Sequence, residues 1–162
     1  MKLTPQEKVN LDFLTNKLRN HNKVKEMKNY IQHGTISTYE HCKRVTELSF
    51  LLNRRLHLNA DEKALVTGAF LHDFYLYDWH NKDGGSHDWH GFIHAARAKK
   101  NAKHYFNISK KEADIIERHM WPLNLTKVPN SKEGWIVTMA DKYISAKETL
   151  FERKKGKKHV GK

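Results

Sequence analysis

The segment Leu65-Val66-Thr67-Gly68-Ala69-Phe70-Leu71-His72-Asp73 is apolar almost to its end and closes on two metal-competent side chains. An unpaired carboxylate held away from water costs several kcal/mol or changes its protonation state. Such a pair persists most easily where something compensates it, and a cation is the simplest compensator. At helical spacing Leu65, Ala69, His72 and Leu76 share one face, with Val66, Phe70 and Asp73 beside them. The stretch therefore reads as an apolar helix carrying a polar pair, and the other ligands must come from elsewhere in the chain.

Working outward, nearly every segment reads as helix. Pro5-Gln6-Glu7 opens a first helix, with Val9, Phe13 and Leu14 at helical spacing. A short second helix is expected over Lys23 to Ile31, ending near Gly34. Ser37-Thr38-Tyr39-Glu40 is a capping box, in which Ser37 accepts from the backbone three residues on and Glu40 reaches back. The helix it opens carries His41, Val45, Leu48 and Leu52 on one face, and Leu56 extends that stripe. Asn59 to Glu62 is the start signal of the His72-Asp73 helix. Asp78 to His90 is a loop with the turn signal Asp83-Gly84-Gly85-Ser86. Gly91 to Tyr105 is an Ala-rich helix, and Ser109 to Glu112 is a second capping box that opens a helix through His119. Pro122 and Pro129 bracket another loop. Asn130 to Glu133 starts a final helix with Ile136, Val137, Asp141 and Ile144. No strand alternation and no internal repeat stand out. The expectation is an all-α, compact single-domain helical bundle of about six to eight helices.

Composition bounds the function. The 162 residues suit one domain, and the single cysteine, Cys42, excludes an intrachain disulfide and points to a reducing, cytoplasmic setting. No run resembles a signal peptide or is long enough to span a bilayer, so no membrane partner is expected. Thirty Lys and Arg against eighteen Asp and Glu give a formal net charge of +12. Such a surface draws in phosphate-rich molecules. Much of it sits in the Lys-rich N-terminal third and in the tail Arg153-Lys154-Lys155-Gly156-Lys157-Lys158, which reads as solvated surface ahead of a dedicated nucleic-acid site. The divisions expected are an N-terminal helical extension over 1–36, a metal-binding domain over 37–150 and a basic tail over 151–162. Oligomeric state is not legible.

The metal-capable residues on or beside apolar helix faces are His41, the His72-Asp73 pair, His94, His119 and Asp141. Taken singly, each has an ordinary explanation as a core histidine, a cap or an ion-pair partner. Taken together, all but the adjacent pair lie on different helices, and a bundle builds metal sites by projecting such side chains inward. Imidazole with carboxylate suits iron, manganese or zinc better than magnesium or calcium. Six ligands exceed one tetrahedral ion and suit two ions that share a bridging carboxylate. His90 competes with His94 for one position. His94 is preferred because the helix from Ala95-Ala96 to Ala102 continues from it. His21, His33, His57, His104 and His159 lie in polar or terminal contexts and read as solvated surface. His80, His87 and His90 share one loop with Trp79 and Trp89. That loop is either a lid hinged at Gly84-Gly85 or a connection packed on the bundle.

This ordered set resembles the HD-domain metal-dependent phosphohydrolases from about Ser37 to Leu150. A His opens one helix, His-Asp ends the next, two further His follow, and an Asp sits in a late apolar helix. Ile115-Ile116-Glu117-Arg118-His119 and Met139-Ala140-Asp141-Lys142 are similar to the family's later motifs. The resemblance implies a first ion on His41, His72, Asp73 and Asp141. It implies a second on His94 and His119, with Asp73 bridging, as in the six-ligand, dinuclear subgroup. The implied cofactors are two divalent transition-metal ions, iron or manganese, with zinc as the alternative. Two departures stand out. Many relatives follow His-Asp with Ile-Gly-Lys, whose Lys assists catalysis, whereas this chain has Phe74-Tyr75-Leu76-Tyr77. The Gly-Tyr-Pro run of the branch that cleaves cyclic dinucleotides is also missing.

The implied chemistry is hydrolysis of a phosphate ester, of a nucleotide or another small phosphorylated molecule, by a metal-bridging hydroxide. Two ions about 3.5–4 Å apart lower the pKa of a shared water toward neutrality. His72 and Asp73 then carry the catalytic centre. Arg44, Arg97 and Lys142 are candidate cations for the substrate phosphate, and His80 or Lys82 could protonate the leaving group. Two alternatives stand beside this. One is a di-iron oxygenase on the same fold and ligands. The other is a non-catalytic nucleotide- or nucleic-acid-binding module, whose binding would survive chelation and fall with salt.

Overall fold

Residues 2–78 and 90–159 are described by a computed structural model. Their order is α1 (Pro5–Asn20), α2 (Asn22–Glu26), a 3-10 turn (Met27–Asn29), β1 (Ile31–His33), β2 (Ile36–Ser37), α3 (Thr38–Arg55), α4 (Glu62–Leu71), α5 (His90–Phe106), α6 (Lys110–Arg118) and α7 (Lys132–His159). The fold is all-α, as the sequence predicts, with one very small antiparallel hairpin. No helix among the described residues is long and apolar enough to cross a membrane.

Side-chain oxygens set most helix starts. Thr4 caps α1 and Ser109 caps α6, each with a complete capping box to Glu7 or Glu112. Asp61 accepts from Ala64 N at 3.0 Å to start α4. Ser131 accepts from Gly134 N at 3.0 Å at the start of α7. The box expected at α3 is half formed. Ser37 accepts from Glu40 N at 3.3 Å, while the Glu40 carboxylate turns to Lys43 at 4.0 Å.

Helix α4 is the centre of the bundle. Ala64, Leu65, Val66, Gly68, Ala69, Phe70 and Leu71 are all buried, so the helix is covered nearly all round by α1, α3, α6 and α7. Gly68 makes this possible on one side. A Cβ there would stand 2.7 Å from Ile115 Cγ2 on α6. One apolar cluster joins Val45, Leu65, Ala69, Ile115, Val137 and Ala140 across α3, α4, α6 and α7. A second joins Val24, Met27, Tyr39, Cys42, Phe70, Phe74, Ala98 and Ile116, and ties the N-terminal helices and α5 to the same centre.

The structure corrects several expectations. The helix foreseen over Lys23 to Ile31 stops early and gives way to the hairpin, which turns at Gly34 with φ 58°. Strands of three and two residues, with an irregular register, are too short to show alternation in sequence. In α1 the buried face is Glu7, Leu11, Thr15 and Leu18, whereas Val9 and Phe13 point outward at 61% and 82% exposure. Their spacing is helical, but it marks the opposite side. Helix α4 ends at Leu71, so Leu76 is not on its face and instead has φ 56° in the following turn. Leu56, past the end of α3, is 60% exposed and does not extend that stripe into the core.

Candidate metal centre

The ends of two helices aim two histidines at one point. His72 is the C-cap of α4 and His119 the C-cap of α6. The Nδ1 of His72 lies 2.7 Å from Ala69 O, and that of His119 lies 2.7 Å from Ile116 O. A carbonyl can only accept, so each Nδ1 carries a proton and each ring presents its second nitrogen, Nε2, inward. The bond also satisfies a carbonyl of the last helical turn, which has no intrahelical partner. Helix C-termini carry partial negative charge, so two of them converge where a cation would sit.

The sequence-predicted set comes together around these two rings. His41 reaches in from the first turn of α3, with Nε2 3.1 Å from Asp141 Oδ1 on α7. Asp73 follows His72 in the turn after α4. Its Oδ2 lies 3.3 Å from His72 Nε2 and 3.8 Å from His41 Nε2. Its Oδ1 lies 3.3 Å from His94 Nε2 and 3.5 Å from His119 Nε2. The single carboxylate thus divides its oxygens between two histidine pairs. His94 on α5 is placed against Asp73. The side chain of His90 lies outside the described residues. All six residues are buried.

The donor chemistry fits metal ions. His72 Nε2 and Asp73 Oδ1 are fully buried without a hydrogen-bond partner among the described residues. Buried polar atoms are nearly always paired, and these two face the middle of the cluster. His94 and His119 bring two Nε2 atoms to 3.2 Å. His41, His72 and Asp141 form one compact donor group and His72, Asp73 and His119 another.

Protonation reflects the same demand for positive charge. Burial opposes the charged form of His41, but hydrogen bonds to Asp141 and Glu148 outweigh it and lift the ring to about 10. Burial likewise opposes charge on His72, and Asp73 beside it lifts it well above its ordinary value. Burial would raise Asp73 and Asp141, but the histidines hold both well below the usual carboxylate range. His119 goes the other way, pushed down to about 3 by burial and by the charge on His72. It is therefore neutral at physiological pH, the form that binds a metal ion.

Two supporting residues escaped the sequence reading. Glu148 is buried on α7, and its Oε2 accepts from His41 Nδ1 at 2.9 Å. Its Oε1 accepts from Arg44 at 3.0 Å. Carboxylate–histidine pairs of this kind fix the ring and raise its basicity toward a metal. Glu148 stands seven residues after Asp141, two helical turns along the same face, and that spacing is the signal that finds it. Gln32, on β1, donates from Nε2 to Asp73 Oδ2 at 2.7 Å. Its neighbour His33 is half-buried with its ring 5.6 Å from that of His41, so it is not the solvated surface residue expected. Nor is His21, which caps α2 and packs on Phe106 at 4.7 Å.

The candidate phosphate cations divide. Lys142 lies against the site, with Nζ 2.8 Å from Asp141 Oδ2 and 3.4 Å from His119 O. Arg44 is held on Glu148, behind His41. Arg97 is exposed on α5, with its guanidinium 5.0 Å from the centre of the Tyr77 ring. His80, Lys82 and the rest of their loop lie outside the described residues.

Comparison with known proteins agrees with this arrangement. A search of curated proteins and of solved structures returns no match. A family model described as HD domain matches residues 38–146, two thirds of the chain. That span holds all six clustered residues, in order, and leaves Gln32, His33 and Glu148 outside it. The chain belongs to the HD-domain family.

Proposed function

We propose that the protein is a metal-dependent phosphohydrolase that cleaves a phosphate ester of a nucleotide or another small phosphorylated molecule. The observation that carries this reading is Asp73, which offers one oxygen to the His41–His72 side and the other to the His94–His119 side. One carboxylate shared between two sets of donors is the arrangement a two-ion hydrolytic centre needs. His41, His72, Asp73 and Asp141 would hold the first ion, and Asp73, His94 and His119 the second. Iron or manganese suits this mixed imidazole and carboxylate set, with zinc as the alternative.

When bound, two such ions supply Lewis acidity and lower the pKa of a water between them toward neutrality. The chain's own residues do the rest. The backbone carbonyls behind His72 and His119, and Glu148 behind His41, keep the three inner ring nitrogens aimed. Lys142 carries positive charge at the rim, beside Asp141, where phosphoryl oxygens would need it. Arg97, whose guanidinium lies over the Tyr77 ring, would be a further cation for the substrate, while Arg44 is engaged by Glu148. The net charge of +12 favours the approach of an anionic substrate.

The test is metal analysis of the purified protein together with a phosphoester panel, on the wild type and on Asp73→Ala. Two ions per chain and turnover in the wild type, both lost in the variant, are expected. Full metal content and full activity in Asp73→Ala would overturn the assignment. Oxygen consumption by an iron-loaded protein that cleaves no phosphoester would move the reading to the oxygenase.

A further inference from the structure

The residue that holds Asp73 in its divided posture lies outside the family-matched span. Gln32 is on β1 of the N-terminal hairpin and is buried at 8% exposure. Its Nε2 donates to Asp73 Oδ2 at 2.7 Å, closer than any of the four histidines stands to that carboxylate. The other end of the amide is fixed too. Gln32 Oε1 accepts from the Tyr75 hydroxyl at 2.6 Å and lies 3.3 Å from Thr38 Oγ1. Thr38 in turn lies 3.1 Å from the Tyr75 oxygen and 3.2 Å from Tyr30 O, so the triangle is closed.

This network settles which way the amide points. Turning Gln32 over would set its carbonyl oxygen against the Asp73 carboxylate, two acceptors face to face in a buried site, where an unpaired polar group is costly. The hydroxyls of Tyr75 and Thr38 can donate or accept, so the carboxylate is what fixes the direction, and they anchor the other end. The amide is thus a one-way donor aimed at Oδ2. It occupies one lone-pair direction of that oxygen and resists rotation of the carboxylate about its Cβ–Cγ bond. Without it, Asp73 could turn both oxygens toward one set of histidines and chelate a single ion. Asn101 on α5 steadies the same turn from the far side, donating to Phe74 O at 2.9 Å and to Tyr75 O at 3.2 Å.

We propose that Gln32 is a positioning residue of the metal centre, which keeps Asp73 divided between the two histidine pairs and so makes the second ion bind. The inference rests on the two-ion reading above and adds to it a residue from the N-terminal extension. It also gives the hairpin a purpose. Strands too short to contribute much to stability carry one amide across to the centre of the bundle.

The experiment is titration of metal-free full-length protein with Mn2+ by calorimetry, alongside electron paramagnetic resonance of the loaded protein. The variants are Gln32→Met, close in length but without the amide, and Tyr75→Phe, which removes the hydroxyl that anchors the carbonyl end of the amide. The wild type is expected to bind two ions per chain and to give the spectrum of two exchange-coupled Mn2+ ions. In Gln32→Met the first ion stays within a few-fold of wild type, while the second weakens about 10–100-fold and the coupled signal is lost, the range usual for an outer-shell partner. Tyr75→Phe shows the same change in smaller degree. Circular dichroism of the metal-free proteins checks folding; should Gln32→Met fail to fold, Tyr75→Phe decides. Two ions bound at wild-type affinity, with the coupled signal intact, in a folded variant would overturn the role of Gln32 alone. A wild type that binds only one ion would overturn the two-ion reading itself.

Discussion

His72 and His119 occupy equivalent places on two different helices: each is the C-cap, and each places Nδ1 2.7 Å from the carbonyl three residues back. One device, used twice, aims two imidazoles at the same carboxylate, and the ring centroids stand 4.8 Å apart. Each ring is therefore set by backbone, not by a rotamer that a distant mutation could easily release. Replacing either ring should consequently act through the metal more than through the fold. His119→Gln is expected to lose one ion per chain by elemental analysis and to lower phosphoester turnover at least about 100-fold. His72→Gln is expected to cost more metal than His119→Gln, since His72 stands in both donor groups. Equal metal content in all three proteins would sink this ordering.

Glu148 gives a second test on the opposite side of the site. It accepts from His41 Nδ1 while its other oxygen is held by Arg44. Glu148→Gln keeps the shape and removes the negative charge that makes His41 a stronger ligand. First-ion affinity should fall about 10–100-fold, as for other partners of a ligating histidine. Arg44→Gln leaves the Glu148–His41 bond in place and should change affinity by only a few-fold. Should Arg44→Gln prove the more damaging of the two, Arg44 touches substrate and the role given to Glu148 is wrong.

Removal of metal should be visible as lost stability. An ion present at about 100 times its dissociation constant stabilises the folded chain by about 2.7 kcal/mol. For a domain of this size that corresponds to a Tm lower by about 5–10 °C after chelation. Differential scanning calorimetry before and after chelator treatment, then with Mn2+ restored, measures it. A Tm indifferent to the chelator would show that the cluster is a self-sufficient network of charged histidines and carboxylates.

The six clustered residues were legible in sequence because each is a polar exception on an apolar helical face, and their order matches a known pattern. His72 and Asp73 stand out against Leu65 to Leu71, and Asp141 against Ile136, Val137 and Ile144. Gln32 was not legible, for a physical reason. A neutral side chain in a three-residue strand has no periodicity to violate, and its value depends on a partner 41 positions away. Spacing marks the wrong face of α1 because Val9 and Phe13 are apolar yet exposed, while Glu7 and Thr15 are polar yet buried, the Glu7 carboxylate accepting from Thr4 N and Arg55 and the Thr15 hydroxyl donating to Leu11 O. Burial there follows satisfied polarity, which spacing alone does not reveal.

That buried Glu7 supports a pH prediction. Hydrogen bonds from Arg55, with help from the Thr4 backbone, hold its carboxyl down to about 2. A depressed carboxylate stabilises the folded state above the ordinary value of 4.5 and loses that contribution as pH falls toward 2. NMR titration of the Glu7 side-chain carboxyl should show a midpoint near 2 in the wild type and a clear rise in Arg55→Gln. A midpoint in the ordinary glutamate range in the wild type would mean that the Arg55 pair does not persist in solution.

Gly68 decides how closely α4 can approach α6, and here two effects oppose each other. Alanine gains about 1 kcal/mol over glycine in a helix interior. Its Cβ, however, would meet Ile115 Cγ2 at 2.7 Å and Ile115 Cβ at 3.0 Å. Because the Ile115 Cβ is itself in the way, no rotamer of Ile115 clears the contact, and the helices must part. Overpacking of this kind costs about 1–3 kcal/mol. The steric term wins when the helices resist separation, and they do here, since His72 and His119 at their C-terminal ends converge on one carboxylate. Gly68→Ala should therefore lower Tm by a few degrees and also weaken metal binding, although it touches no ligand. Adding Ile115→Ala to Gly68→Ala removes the closest atom, Cγ2, but leaves the Cβ at 3.0 Å, so metal affinity should recover only in part, with the stability cost of a smaller core added. A Gly68→Ala protein with raised Tm and unchanged metal affinity would show that the α4–α6 contact yields freely.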